Sequence, residues 1–168
     1  NEMAIICEKM GISVWEVIDA AKTKPYGFQA FYPGPGVGGH CIPLDPYYLA
    51  WKAREYNYHT KLIETSWIIN DSMPDYVAER ASKILNRFKK PLTGSKILIL
   101  GVAYKQDIDD IRHSPALKVI DALEKEGCIV EYYDPYVKDY PYKGGRKESI
   151  NELNRHALNS ADLVVITT

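Results

Sequence analysis

Apolar positions change rhythm part-way along the chain: up to about residue 90 they recur at helical spacing, and beyond it they gather into short runs separated by turns. Met3, Ile6, Cys7 and Met10 mark one face of a first helix, stopped at Gly11. Ser13 followed by Glu16 is the capping-box pattern, and predicts a second short helix through about Lys22. A third helix is expected from Pro46 to about Tyr56, with Asp45 available to cap it and proline in its first turn. Thr60 to about Phe88 reads as one long helical segment whose second half lines Val77, Ala81, Ile84, Leu85 and Phe88 along one side. Pro74 is expected to kink or break it, because proline offers no amide to the preceding turn.

Lys89 to Ser95 is a boundary, where a basic helix end runs into Pro, Gly and Ser. Lys96 to Ala103 then reads as a buried parallel strand, and Ser114-Pro115 opens a helix with Ala116, Leu117, Ile120 and Leu123 on one face. Gly127 stops that helix, Cys128 to Tyr133 is a second strand, and Leu163 to Ile166 a third, after a helix from about Ile150 to Leu158. Tyr136 to Ser149 is expected to be an exposed loop. The β-α-β-α-β order implies a parallel sheet with right-handed crossovers. The expected fold class is α/β, with an all-helical domain over residues 1–90 followed by a Rossmann-like parallel-sheet domain over residues 95–168.

Composition narrows the functional classes. The chain has 168 residues, 46% of them hydrophobic, and a net charge of −1, so it can bury one sizeable core or two small ones and has no basic excess for nucleic acid. No apolar run approaches the ~20 residues that span a bilayer, so no membrane partner is expected. Cys7, Cys41 and Cys128 are odd in number and widely spaced, which predicts neither a disulfide framework nor a metal site, and fits a reducing cytoplasm. The chain opens inside a helical pattern and closes on a strand, which suggests a piece of a longer protein whose last domain is incomplete.

The candidate chemistry lies between Phe31 and Asp45. Gly34, Gly36, Gly38 and Gly39 alternate there with Pro33, Pro35 and Pro43, a composition that predicts a shaped loop. Such a loop can bring main-chain amides against a ligand beside the thiol of Cys41 and the carboxylate of Asp45. The plainer readings are that Cys41 is a small buried hydrophobe, Asp45 only a helix cap and His40 a packing residue. Gly34, Gly36 and Gly39 match the spacing of a dinucleotide fingerprint but lack the strand before it and the helix opening inside it.

From Gly34 to Asp45 the string Gly-x-Gly-x-Gly-Gly-x-Cys-x-x-x-Asp resembles the active-site loop of the nucleotide-sugar 6-dehydrogenases, the UDP-glucose/GDP-mannose dehydrogenase family. Its continuation through Ala53 is most similar to the members that oxidise UDP-N-acetylglucosamine, with UDP-glucose and UDP-N-acetylmannosamine as alternative substrates. The resemblance implies an NAD-dependent, two-step oxidation of the sugar C6 alcohol to the uronate through a thiohemiacetal and a thioester on Cys41, with Asp45 orienting or deprotonating water. Phe31, Tyr32, Gly34, Gly36, Gly38 and Gly39 would hold the substrate. NAD would be bound mainly by a preceding domain, and a catalytic lysine and an asparagine would lie a little upstream of the pair matching Asn1-Glu2. The helical region would be a middle domain whose long helix makes a homodimer, and the product would serve polysaccharide biosynthesis.

A second motif follows the first strand of the sheet domain. It has one glycine where a dinucleotide fingerprint has three, so NAD binding of the usual kind is not expected there. By itself the stretch reads more readily as a charged loop in which Lys105 and Arg112 pair with Asp107, Asp109 and Asp110 than as a site where the two meet a phosphate. Gly101, Ala103, Tyr104, Lys105, Asp110, Arg112 and Ser114 are, however, similar to the Gly-x-Ala-aromatic-Lys turn and Asp-x-Arg-x-Ser of the same family. That resemblance implies that Tyr104, Lys105 and Arg112 meet the uridine-diphosphate part of the substrate. Two other classes remain at this stage, a cysteine hydrolase using Cys41 with His40 and a non-catalytic dimerisation or nucleotide-binding module.

Overall fold

A computed structural model describes all 168 residues. The first part is helical: α1 (Glu2–Met10), α2 (Val14–Ala21), α3 (Cys41–Arg54) and α4 (Lys61–Arg87). The second is β1 (Lys96–Leu100), α5 (Pro115–Lys125), β2 (Ile129–Tyr133), a hairpin of β3 (Asp139–Tyr142) and β4 (Gly145–Glu148), α6 (Arg155–Ser160) and β5 (Leu163–Ile166). β1, β2 and β5 form a parallel sheet in the order β2-β1-β5, with Ile97 level with Val130 on one side and Leu163 on the other.

Local chemistry explains most of the elements. Gly11 ends α1, its amide returning to the carbonyls of Cys7 and Glu8, and the Ser13 hydroxyl accepts from the Glu16 amide to start α2. Ser114, buried and extended, caps α5 by accepting from the Ala116 amide, with Pro115 in the first turn. Val119, Ile120 and Leu123 are fully buried and pack against Ile97, Ile99, Val130 and Tyr132 of the sheet. Each such side chain contributes about 1.5–3 kcal/mol on leaving water. Ala78 and Ala81 of α4 belong to the same core, so the long helix is packed on both sides of the Lys89–Ser95 boundary.

Five expectations change. The third helix begins at Cys41, not Pro46: Pro43 falls in its first turn, where no amide is needed, and the helix accommodates Pro46 one turn on. α4 runs unbroken through Pro74, which is buried. Residues 136–149 hold the β3–β4 hairpin and not only loop, because Tyr140 alternates inward to 1% exposure while its neighbours face out. The last helix is short, Arg155–Ser160, and is capped by Asn154 accepting from the Ala157 amide. The first strand also ends earlier than expected, at Leu100, where Gly101 turns the chain.

Candidate active site at the junction of the helical and sheet regions

The two motifs meet. The Gly39 amide donates to the Arg112 carbonyl at 3.1 Å, which ties the glycine loop to the turn between β1 and α5. Gly38 lies so close to that turn that a Cβ there would stand 2.6 Å from Cβ of Tyr104, 2.9 Å from Cδ of Pro115 and 3.0 Å from the His113 carbonyl. Gly39 is buried at φ +89 with the Tyr104 ring against it. Only a residue without a side chain fits between these walls. Gly36 presses from the same side on Pro115 and on the Asn70 carbonyl of α4. Pro74 has no amide to give that carbonyl four residues earlier, so the proline leaves the acceptor uncovered where the loop arrives.

On the other side the loop is tied to α1 and α4. Asn1 accepts from the Gly34 amide at 3.0 Å and donates to the Asn70 side chain at 2.6 Å. Tyr32 stacks on Trp15 of α2 with ring centroids 5.9 Å apart, while Phe31 is 75% exposed. Of the loop glycines expected to offer amides to a ligand, Gly34 and Gly39 are thus engaged within the chain, and the amides of Gly36 and Gly38 make no such bond.

Cys41 is the first residue of α3 and is exposed, which removes the buried-hydrophobe reading. Asp45 follows one turn later, also exposed, on the same face of the helix. Asp45 is therefore not the cap of that helix; His40 occupies the cap position, without a side-chain hydrogen bond. A helix N-terminus presents free amides and the positive end of the backbone dipole to any negative group beside it. A cavity of about 370 Å³ opens on a neighbouring face of α3, lined by Ile42, Pro43, Trp67, Asn70 and Pro115 but by neither Cys41 nor Asp45.

In the β1–α5 turn, Tyr104 is half-buried, its amide bonded to the Asp110 carbonyl. Arg112 forks onto the Asp110 carboxylate, with Nε and Nη2 contacts of 2.6–3.0 Å. Hydrogen bonds from the Arg112 side chain and amide hold the Asp110 carboxyl below its usual range. Lys105 is exposed and makes no ion pair. The charged-loop reading thus describes Arg112 but not Lys105. No group of three or more His, Cys, Asp or Glu side chains could hold a metal ion. No helix is long and apolar enough to cross a membrane.

Residues 1–72 match the central domain of the UDP-glucose/GDP-mannose dehydrogenase family, and residues 98–168 match its UDP binding domain. The chain belongs to the UDP-glucose/GDP-mannose dehydrogenase family. Among relatives of this dehydrogenase-family chain, UDP-N-acetyl-D-mannosamine dehydrogenase of Methanocaldococcus jannaschii is 43% identical over 99% of the chain and 35% of that protein. NDP-N-acetyl-D-galactosaminuronic acid dehydrogenase of Ralstonia solanacearum is 36% identical over 99% of the chain and 37% of its own length. The solved UDP-D-ManNAc dehydrogenase of Pyrococcus horikoshii superimposes with a TM-score of 0.84 at 34% identity, covering 99% of this chain and 37% of that one. The chain therefore spans little more than a third of the length of these dehydrogenases.

Sequence reasoning named Phe31, Tyr32, the glycines, Cys41, Asp45, Tyr104, Lys105 and Arg112, but missed four supports. Asn1, Trp15 and Asn70 hold the loop from behind, and Asp134 holds the turn. Asp134 stands directly after a strand and before Pro135, which was a signal that it serves a turn.

Proposed function

We propose that this chain is the substrate-handling part of an NAD-dependent nucleotide-sugar dehydrogenase, and that the whole enzyme oxidises C6 of a UDP-N-acetylhexosamine to the carboxylate. The observation that carries the reading is the Gly39–Arg112 tie, which seats the Cys41 end of α3 beside the Tyr104-Lys105 turn. A ligand with a phosphate at that turn and a reactive carbon near the thiol would span the two.

The division of labour follows from side-chain chemistry. The thiolate of Cys41 adds to the C6 aldehyde, forming a C–S bond and, once the oxygen takes a proton, a thiohemiacetal; removal of a hydride from C6 and of that hydroxyl proton gives the thioester. Water then attacks the thioester carbon as Asp45 accepts its proton, and the C–S bond breaks to return the thiolate and the uronate. Phe31, Tyr32 and the free amides of Gly36 and Gly38 line the sugar's approach, and Tyr104, Lys105 and Arg112 meet the uridine diphosphate. NAD supplies the two-electron acceptor in this family. The β1–α5 turn does not fit its pyrophosphate, since only Gly101 of the three fingerprint glycines is present and the next two amides are already bonded to Asp134.

Among the sugars, the mannosamine epimer takes precedence over the glucosamine one that the Asp45–Ala53 stretch suggested, because the M. jannaschii and P. horikoshii relatives bear that name. NADH formation by the full-length enzyme, measured against UDP-N-acetylmannosamine, UDP-N-acetylglucosamine and UDP-glucose, tests both levels. Activity confined to UDP-glucose removes the N-acetyl assignment, and no NADH with any of the three removes the reading itself.

A further inference from the structure

Asp134 is 5% exposed, immediately after β2, and its carboxylate accepts four main-chain hydrogen bonds. One oxygen takes the amides of Val102 at 2.8 Å and Ala103 at 3.3 Å, and the other takes those of Tyr136 at 2.8 Å and Val137 at 3.0 Å. The Asp134 amide in turn donates to the Ser149 hydroxyl at 3.1 Å. The two ends of neighbouring parallel strands are thereby clamped to one buried side chain.

Position gives this clamp a functional meaning. In doubly wound sheets the turn after the first strand captures a pyrophosphate with backbone amides, and an acidic residue at the end of the second strand is free to bind a ribose. Here the acid reaches back and takes the amides instead. We propose that Asp134 is a positioning residue for the nucleotide site: it withdraws the Val102 and Ala103 amides from anion binding and fixes the backbone from which Tyr104 and Lys105 project. Phosphate recognition then falls to the side chains of Lys105 and Arg112. The same carboxylate closes this turn to a dinucleotide, because neither the amides nor the acid remain free for one.

The inference rests on the reading of Tyr104, Lys105 and Arg112 as the nucleotide site, and the test separates the two. In the full-length enzyme, UDP is used as a competitive inhibitor against Asp134→Asn, Lys105→Ala and Arg112→Ala. Asparagine keeps the shape but accepts on one side only, leaving one pair of amides facing an NH2 group. The expected result for Asp134→Asn is an inhibition constant for UDP and a KM for the UDP-sugar raised about tenfold, with kcat and the KM for NAD within about twofold. Unchanged UDP inhibition in Asp134→Asn, with Lys105→Ala weakened, overturns the positioning role and leaves the nucleotide site standing. A parallel loss of kcat and NAD affinity makes Asp134 a general structural residue and overturns it too. Unchanged UDP inhibition in both Lys105→Ala and Arg112→Ala removes the nucleotide site and the inference with it. Asp134→Glu, which keeps the charge and shifts it by one methylene, is judged by the same criteria should Asp134→Asn fail to fold.

Discussion

Cys41 and Asp45 stand one turn apart on the same exposed face of α3, with Cys41 at the helix N-terminus. Residues at this spacing keep their Cβ atoms about 5–6 Å apart. That leaves room for a ligand carbon on the sulfur and a water between it and the carboxylate. The pairing makes the two residues separable by experiment. Cys41→Ser in the full-length enzyme is expected to bind nucleotide-sugar but form no uronate, because an alcohol is a poor nucleophile at neutral pH. Asp45→Asn is expected to slow thioester hydrolysis by about 10²–10⁴-fold and to accumulate a sugar adduct on Cys41, visible by intact-mass spectrometry. Normal turnover without an adduct would leave Asp45 no chemical role.

The glycine loop offers a test of fit against flexibility. Gly34→Ala meets nothing nearer than 3.9 Å, whereas Gly38→Ala drives a methyl to 2.6 Å from Cβ of Tyr104. Gly38→Ala is expected to lower stability by about 1–3 kcal/mol and to loosen the loop; Gly34→Ala stays within about 0.5 kcal/mol. Urea unfolding and limited proteolysis of the loop measure the contrast, and equal effects of the two would contradict the packing described.

Acid should loosen the hairpin. Burial pushes the Glu124 carboxyl up, but hydrogen bonds from Lys143, Lys147 and Tyr142 together outweigh it and hold the group at about 2. The three donors lie at 2.7, 2.5 and 2.7 Å and join α5 to the β3–β4 hairpin. An unfolded glutamate titrates near 4.3. Because the folded value is the lower one, this contribution is complete above about pH 4.3 and fades as pH falls toward 2. Glu124→Gln is expected to be less stable than the parent at pH 7 and to show a flatter loss of urea midpoint below pH 4.3. Parallel pH curves for parent and variant would show that the carboxylate is not the group responsible.

α4 leaves Leu62 85% and Ile68 59% exposed, beside a Trp67 that is 43% exposed. If the exposed surface of α4 meets a second copy, the chain is dimeric in light scattering at micromolar concentration, and Leu62→Asp with Ile68→Asp makes it monomeric without changing its helix content. A monomeric parent would place the contact elsewhere.

The parallel sheet and α5 were legible because their apolar positions match their periodicity: Ile97 to Ile99 form a continuous buried run, and Val119, Ile120 and Leu123 keep to one face. Cys41 and Asp45 were legible as a chemical pair, but their shared helical face was not. Pro43 and Pro46 masked the start of α3, since proline is a stop signal everywhere except near a helix's first turn. The hairpin was hidden by lysines and glycines around Tyr140, whose ring is covered by Tyr132 of β2, a neighbour in the other sheet that the alternation within the hairpin does not reveal. Asn1, Asn70 and Asp134 could not be assigned to their partners, because hydrogen bonds spanning 69 and 32 residues leave no local pattern.

The single hydrogen bond between Gly39 and Arg112 has a metrical consequence. Cys41 follows Gly39 by two residues, a stretch of backbone that reaches at most about 7 Å. The thiol and the Arg112 end of the turn that also bears Lys105 are therefore held as two marks on one ruler. Under the proposed function, a ligand is selected by its length from phosphate to reactive carbon, and a sugar one carbon shorter is expected to fail the match even when every other group is in place.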